Sequence, residues 1–453
     1  MVNGSIGLCL PAAGKQKFPI AKEYLYFGFP VNTLNYPSRR DILAEQSTHN
    51  PAPEKEFDFT IEAVILLVLS AFMLLFGILL FAIHTGDLPY TPDSTYGLFL
   101  VIVALQVITM GKTPFGDVRR SWLVVIIGIA AAVIGMGACF VPGTLSALVR
   151  VLVGVLLAAG GAVLLFRLIL RREKVAAWLK IPGILRHVTF SSVLVYIVAI
   201  LLGLVTLLPA ITTDTLTAGL LIIDGASLLY LAWSIGTLEK VYPKKAEPVE
   251  PPRSTRSFLS KNAPLPLTTA ILVFLGVLLA FLAVLLVPVN LGLIPFSPDG
   301  QLGLLLVIMA VQVLAMGETP VGQFRRSRVL VLIGLVFAGL GIFSCIVPGI
   351  LTDDLRIMLG LLNLAGGIVP LVLRFYPLFM QMRNPPAVPA RIPAPLKNLL
   401  VTQTVLNCVG ILFGTSMLLP GFIPGMVTAA ILFCNGLLLF VLAWILSTLP
   451  AAE

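Results

Sequence analysis

The 453-residue chain is 58% hydrophobic and only 11% charged, with a net charge of +9. Soluble domains carry about 25% charged residues, so an ordinary water-soluble globular protein is excluded and lipid is the solvent for most of the chain. The Lys and Arg residues stand at the ends of apolar segments and form no basic domain, which points to the anionic head groups of a lipid bilayer as partner and away from nucleic acid.

Residues 1–60 mix Pro, Asn, Ser and charges without a sustained helical period and are expected to form a flexible cytoplasmic tail. Its aromatic cluster, Tyr24, Tyr26, Phe27 and Phe29, suits a membrane interface, and no apolar core marks it as a cleavable signal. Twelve apolar runs follow, each read as a helix crossing roughly 30 Å of hydrocarbon. A first repeat, 61–240, holds runs at approximately 61–84, 96–111, 121–141, 145–170, 188–210 and 216–237. Residues 241–264, rich in Pro, Lys and Glu, read as a cytoplasmic linker. A second repeat, 265–450, holds runs at approximately 266–289, 302–317, 328–348, 353–379, 398–419 and 424–448. The second and eighth runs are short. The expected class is thus all-α, polytopic, about twelve transmembrane helices in two parallel six-helix repeats.

Every alternate loop is basic, including Lys112, Arg171, Arg172, Lys240, Arg383 and Arg391, while the opposite loops hold Asp87, Asp93, Asp214, Asp299, Asp353 and Asp354 without Lys or Arg. Positive loops stay on the cytoplasmic side, so both termini are expected in the cytoplasm and the protein in the inner membrane. An even number of crossings per half makes the halves parallel repeats, unlike the inverted pair of many transporters.

The duplication is explicit. Gln106-Val-Ile-Thr-Met-Gly-Lys-Thr-Pro-Phe-Gly-Asp-Val-Arg-Arg-Ser121 returns as Gln312-Val-Leu-Ala-Met-Gly-Glu-Thr-Pro-Val-Gly-Gln-Phe-Arg-Arg-Ser327, and roughly half the positions of 97–161 match those of 303–367 at one constant shift. A phosphate-loop reading of Gly111-Lys112-Thr113 fails, because Gln106 stands where its first Gly belongs and a membrane helix precedes it. Thr113-Pro114 and Thr319-Pro320 instead suggest helix caps with Pro at the first helical position. Arg119, Arg120, Arg325 and Arg326 read either as topological stops or as contacts to anionic lipid head groups.

A finer rhythm of apolar helix, Pro turn and Gly-studded helix recurs: Phe140-Val-Pro-Gly143 before Gly160-Gly161, Leu207-Leu-Pro209 before Asp224-Gly225, and Leu419-Pro420 before Cys434-Asn-Gly436. It predicts three hairpins per half, all turning on one face, with glycines that let helix backbones approach closely. On this Gly, Leu-Leu, Pro, Gly, Gly rhythm each half resembles the HdeD-like short-repeat membrane proteins of the acid-resistance type, and the chain looks like a fused tandem of two. The resemblance implies a membrane or acid-stress role and no catalytic residues. Twelve helices with a central linker are also similar to major facilitator transporters, whose loop after the second helix ends in Gly-X-Arg-Arg. Gly111 with Arg119-Arg120, Gly317 with Arg325-Arg326, and Arg150 followed by Gly154 carry that second likeness, which implies secondary transport of a small solute or proton; Asp117 and Gln323 depart from it.

Ionisable groups inside hydrocarbon are costly and mark candidate sites. Arg150 and its match Arg356 lie inside the fourth and tenth helices, Asp224 inside the sixth with Asn435 at the matching place, and Gln106 and Gln312 form a matched polar pair. Arg150 either snorkels to the head groups or pairs with Asp224; Asp224 is a satisfied structural carboxylate or a proton carrier; the glutamines are interhelical glue. His84 stands at a helix end near the surface. Cys139, Cys345, Cys408 and Cys434 lie in apolar runs as small hydrophobes. With no catalytic triad and no metal spacing, the chain is read as a non-enzymatic membrane protein without a cofactor, and the two functional readings differ in whether the polar residues share one aqueous site.

Overall fold

The computed structural model describes residues 61–110, 112–113, 116–117, 122–170, 184–208, 213–241, 267–316, 318–319, 322–323, 328–383 and 394–448. The tail, residues 242–264 of the linker, and Arg119, Arg120, Arg325 and Arg326 lie outside these residues. Twelve helices are described: α1 Ile61–His84, α2 Pro92–Met110, α3 Trp122–Phe140, α4 Ser146–Leu170, α5 Ile184–Leu207, α6 Asp214–Val241, α7 Leu267–Asn290, α8 Pro298–Met316, α9 Arg328–Ile346, α10 Thr352–Arg383, α11 Ala394–Leu418 and α12 Gly425–Thr448. Ten are long and apolar enough to cross a membrane, and α2 and α8 contribute shorter apolar stretches, Pro92–Ile108 and Pro298–Val311. Large apolar side chains such as Leu170, Phe190, Val329 and Trp444 point outward, as on a surface solvated by lipid. The chain is therefore a multi-pass helical membrane protein.

Two local expectations are corrected. Helices α2 and α8 start four residues before the apolar runs at 96 and 302. Thr91 and Ser297 occupy the cap position, Pro92 and Pro298 the first helical position, and the Ser297 hydroxyl accepts the Gly300 N–H at 3.3 Å. Hydropathy misses this first turn because its residues are polar. The threonines expected to cap a restarted helix lie instead on short strands, while Pro114 and Pro320 fall outside the described residues. Lys112–Thr113 (β1) pairs antiparallel with Gly116–Asp117 (β2), and Glu318–Thr319 (β3) with Gly322–Gln323 (β4). Thr113 and Thr319 are thus strand residues facing Gly116 and Gly322. The register sets Lys112 opposite Asp117, and Glu318 opposite Gln323.

Among the described residues the Pro turns gather at one end, called here the acidic end, but the helices joined there are not the most intimate partners. The tight pairs are α1 with α6, α2 with α3 and α4 with α5, repeated as α7 with α12, α8 with α9 and α10 with α11. Glycine explains the choice. A Cβ on Gly135 would sit 2.7 Å from the Gly97 carbonyl oxygen, and one on Gly97 would strike the Gly135 carbonyl; Gly303 and Gly341 meet in the same way. Between α4 and α5, Gly203 lies against Gly154 and Ala158, as Gly414 lies against Gly360. In lipid such backbone proximity supplies van der Waals contact that hydrophobicity cannot.

The two halves meet through α1, α2 and α3 on one side and α7, α8 and α9 on the other. At the acidic end the Thr91 N–H donates to the Ile346 carbonyl at 3.1 Å, and the Ser297 N–H donates to the Phe140 carbonyl at 2.8 Å. Thr91 and Ser297 are 206 positions apart, as are Phe140 and Ile346, so each half offers the other the same bond. Cys139 and Cys345, also 206 apart, are free thiols buried beside this seam, Cys139 donating to the Ser94 carbonyl at 3.4 Å and Cys345 to the Gly300 carbonyl at 3.7 Å.

Replacing Gly97 or Gly303 by Leu is expected to cost about 3 kcal/mol through forced helix separation, and Gly219→Leu, at a helical site with open space around it, should cost nothing measurable. Thermal unfolding in detergent, followed by size-exclusion chromatography, distinguishes the two classes.

Candidate functional site

The sequence-derived polar residues do not converge. Asp224 is only 2% exposed. It lies ten residues from the start of α6, about 15 Å deep at 1.5 Å per residue and so near mid-membrane. Among the described residues its Oδ1 has no hydrogen-bond partner. The next residue, Gly225, accepts the Ser70 hydroxyl at 2.8 Å on its carbonyl and packs on Leu74, so the contact of α6 with α1 is secured beside Asp224 and not by it. Asn435 is half-buried on α12, shifted by 211 residues, and Gly436 after it approaches Gly276 as Gly225 approaches α1.

Arg150 belongs to another level. It is exposed four residues into α4, about 6 Å from the helix start, and no ion pair joins it to Asp224 among the described residues. Arg356 bonds Asp353 at 3.1 Å one turn before it, and its buried Nε has no partner among the described residues. Gln106 is half-buried on α2, and Gln312 lies on α8 in the matching place. His84 reaches Asp214 at 2.9 Å across the acidic end, both side chains exposed. In the second half the same corner is closed by Asn290 against Gly425.

An apolar cavity of about 50 Å³ lies among α1, α2, α4, α5 and α6, with Tyr96, Thr206 and Thr217 as its polar edge. Its volume has room for a few waters. Thr217, Leu221 and Asp224 follow one another at spacings of four and three on α6, so Asp224 continues that face one turn deeper without entering the cavity lining. Among the described residues, no group of three or more His, Cys, Asp or Glu side chains is arranged to hold a metal ion.

Three features escaped the sequence reading. Asp93 and Asp299, taken as loop charges, are 6% and 8% exposed. Asp93 accepts the Gly143 N–H at 2.6 Å and the Ser146 hydroxyl at 2.8 Å, and Asp299 accepts the Thr352 hydroxyl. Each thus ties the first turn of one helix to the start of another across a Pro-Gly turn whose glycine, Gly143 or Gly349, has φ 84°. The signal was present: Thr-Pro-Asp and Ser-Pro-Asp precede the two Pro-Gly pairs at equal spacing. Arg374, half-buried on α10, donates to the Leu400 carbonyl at 3.0 Å, Thr404 at 2.9 Å and Gln403 at 2.6 Å on α11. An Arg in an apolar run was its sign. His187, Tyr230 and Trp233 form a third group, with Tyr230 bonded to His187 and stacked on Trp233 at 5.8 Å. Such amphipathic rings suit the head-group level.

Asp299→Ala should destabilise the fold by about 2 kcal/mol, the worth of a charge-assisted bond at a buried carboxylate, and Asp299→Asn by less. Chemical denaturation in mixed micelles measures both.

Comparison of the chain with protein-family models, with curated proteins and with solved structures returns no match, so its membrane class rests on its own sequence and geometry.

Proposed function

We propose that this is a non-catalytic polytopic membrane protein of two parallel six-helix repeats, HdeD-like, serving the membrane under acid or related stress. The observation that carries the reading is the dispersal of its polar groups. Asp224 lies near the midplane with its Oδ1 unpartnered among the described residues, Arg150 sits about a turn from the acidic end, and Arg356 is engaged by Asp353. A solute pathway requires such groups around one aqueous site near the midplane. The repeat organisation is supported by the reciprocal Thr91 to Ile346 and Ser297 to Phe140 bonds. Basic loops opposite the acidic end favour cytoplasmic termini in the inner membrane.

Secondary transport is the alternative, and the unpartnered Oδ1 of Asp224 is the observation in its favour, since intramembrane carboxylates often carry protons. Purified protein in sealed vesicles is expected to show proton and solute flux at background under an imposed pH gradient. Asp224→Asn should leave that background unchanged and keep or raise thermal stability, because an amide is cheaper to bury than an unpaired carboxyl and Asn435 already fills the equivalent place. Flux above protein-free vesicles that disappears in Asp224→Asn would establish the transporter instead. Loss of acid survival in cells deleted for the chain, restored by the Asp224→Asn form, tests the stress role.

A further inference from the structure

A second cavity opens at the acidic end between the first turns of α2 and α4. This groove of about 230 Å³ is lined by Pro92, Asp93, Tyr96, Ser146, Ala147 and Arg150. Asp93 brings an acceptor to it: the carboxylate is 94% buried, Oδ2 holds Gly143 and Ser146, and Oδ1 has no partner among the described residues. Arg150 brings a cation, exposed and without an ion pair among the described residues. Tyr96 lines the same groove as Arg150.

The duplicated half shows what a closed version looks like. The position of Ala147 is taken there by Asp353, which engages Arg356 at 3.1 Å, and Leu302 replaces Tyr96. The second half therefore neutralises its own guanidinium, whereas the first leaves a buried acceptor and a cation in one groove. We propose that this groove binds a zwitterion with N–H donors at one end and a phosphate at the other, as presented by the head group of an ethanolamine phospholipid. Its ammonium would donate to Asp93, and its phosphate would meet the Arg150 fork, a geometry that guanidinium groups favour. At about 6 Å from the helix start the site lies at head-group depth. Leu148, Val151 and Val155, exposed at spacings of three and four on α4, offer an apolar wall for the acyl chains. The inference needs only a membrane-embedded chain and stands whether or not anything is transported.

The full chain in nanodiscs of phosphatidylcholine and phosphatidylglycerol, with or without phosphatidylethanolamine, tests it by native mass spectrometry of retained lipid. Phosphatidylethanolamine should be kept over phosphatidylcholine, whose trimethylammonium has no N–H, by on the order of tenfold, the ratio one charge-assisted hydrogen bond supports. Arg150→Gln should lower that retention. Ala147→Asp, which supplies the partner that Asp353 provides in the other half, should reduce it to background with an unchanged melting temperature, and Arg356→Gln should leave it intact. Soluble phosphoethanolamine that displaces the lipid supports recognition of the head group; if it binds while the lipid does not, the same chemistry is served from solution. Equal retention of the two lipids, or wild-type retention in Ala147→Asp, overturns the proposal.

Discussion

The last carbonyl of a helix has no partner within the helix, and the rest of this architecture depends on where two of them find one. Phe140 and Ile346 end α3 and α9 fully buried, and each carbonyl accepts an N–H from the cap residue that opens α2 or α8 of the opposite half. Separating the halves would strand two acceptors and two donors now buried against each other, at about 1–3 kcal/mol for each group left unsatisfied. The seam also explains the polar first turns of α2 and α8. Thr91, Pro92 and Asp93, like Ser297, Pro298 and Asp299, are there to cap a helix, cross to the other half and hold a neighbouring turn.

Away from the seam, cohesion comes from backbone proximity. Gly97 with Gly135, Gly154 with Gly203, and their counterparts in the second half remove side-chain bulk at the same heights along the tight helix pairs. Polar bonds then add selectivity: Ser70 to the Gly225 carbonyl on one pair, Arg374 to α11 on another. The close pairs are mostly joined at the end opposite the Pro turns, so a hairpin in the chain is not the packing unit in the membrane.

Much of the helix layout was legible from apolar length, because helices in lipid must satisfy their own backbone and need about 20 residues to do it. The placement of α1, α4 and α9 follows directly. Legibility failed where polarity served structure. The Pro-Asp first turns look like loop, and Thr113 looks like a cap until its strand pairing with Gly116 is seen. Sites were harder still. Spacing put Arg150 and Asp224 at depths close enough to pair, whereas the helix starts set them about 6 Å and about 15 Å in, and their azimuth depends on helix pairing set by glycine contacts that a hydropathy reading does not see. Arg374 was passed over because its partners, Leu400, Gln403 and Thr404, lie on a different helix.

The seam of reciprocal bonds has a consequence for how such a chain arises and diverges. A surface that binds its own copy through the same donor and the same acceptor is isologous, the kind that closes a twofold dimer and then stops. A single ancestral half carrying a cap donor like Thr91 and a helix-end carbonyl like that of Phe140 could already have paired with itself. Fusion would then change its stoichiometry and leave its chemistry alone. Once two copies share one chain, residues at the seam remain answerable to each other, whereas those away from it are released to specialise separately. Ala147 beside Asp353 and Asp224 beside Asn435 are differences a symmetric homodimer could not have held.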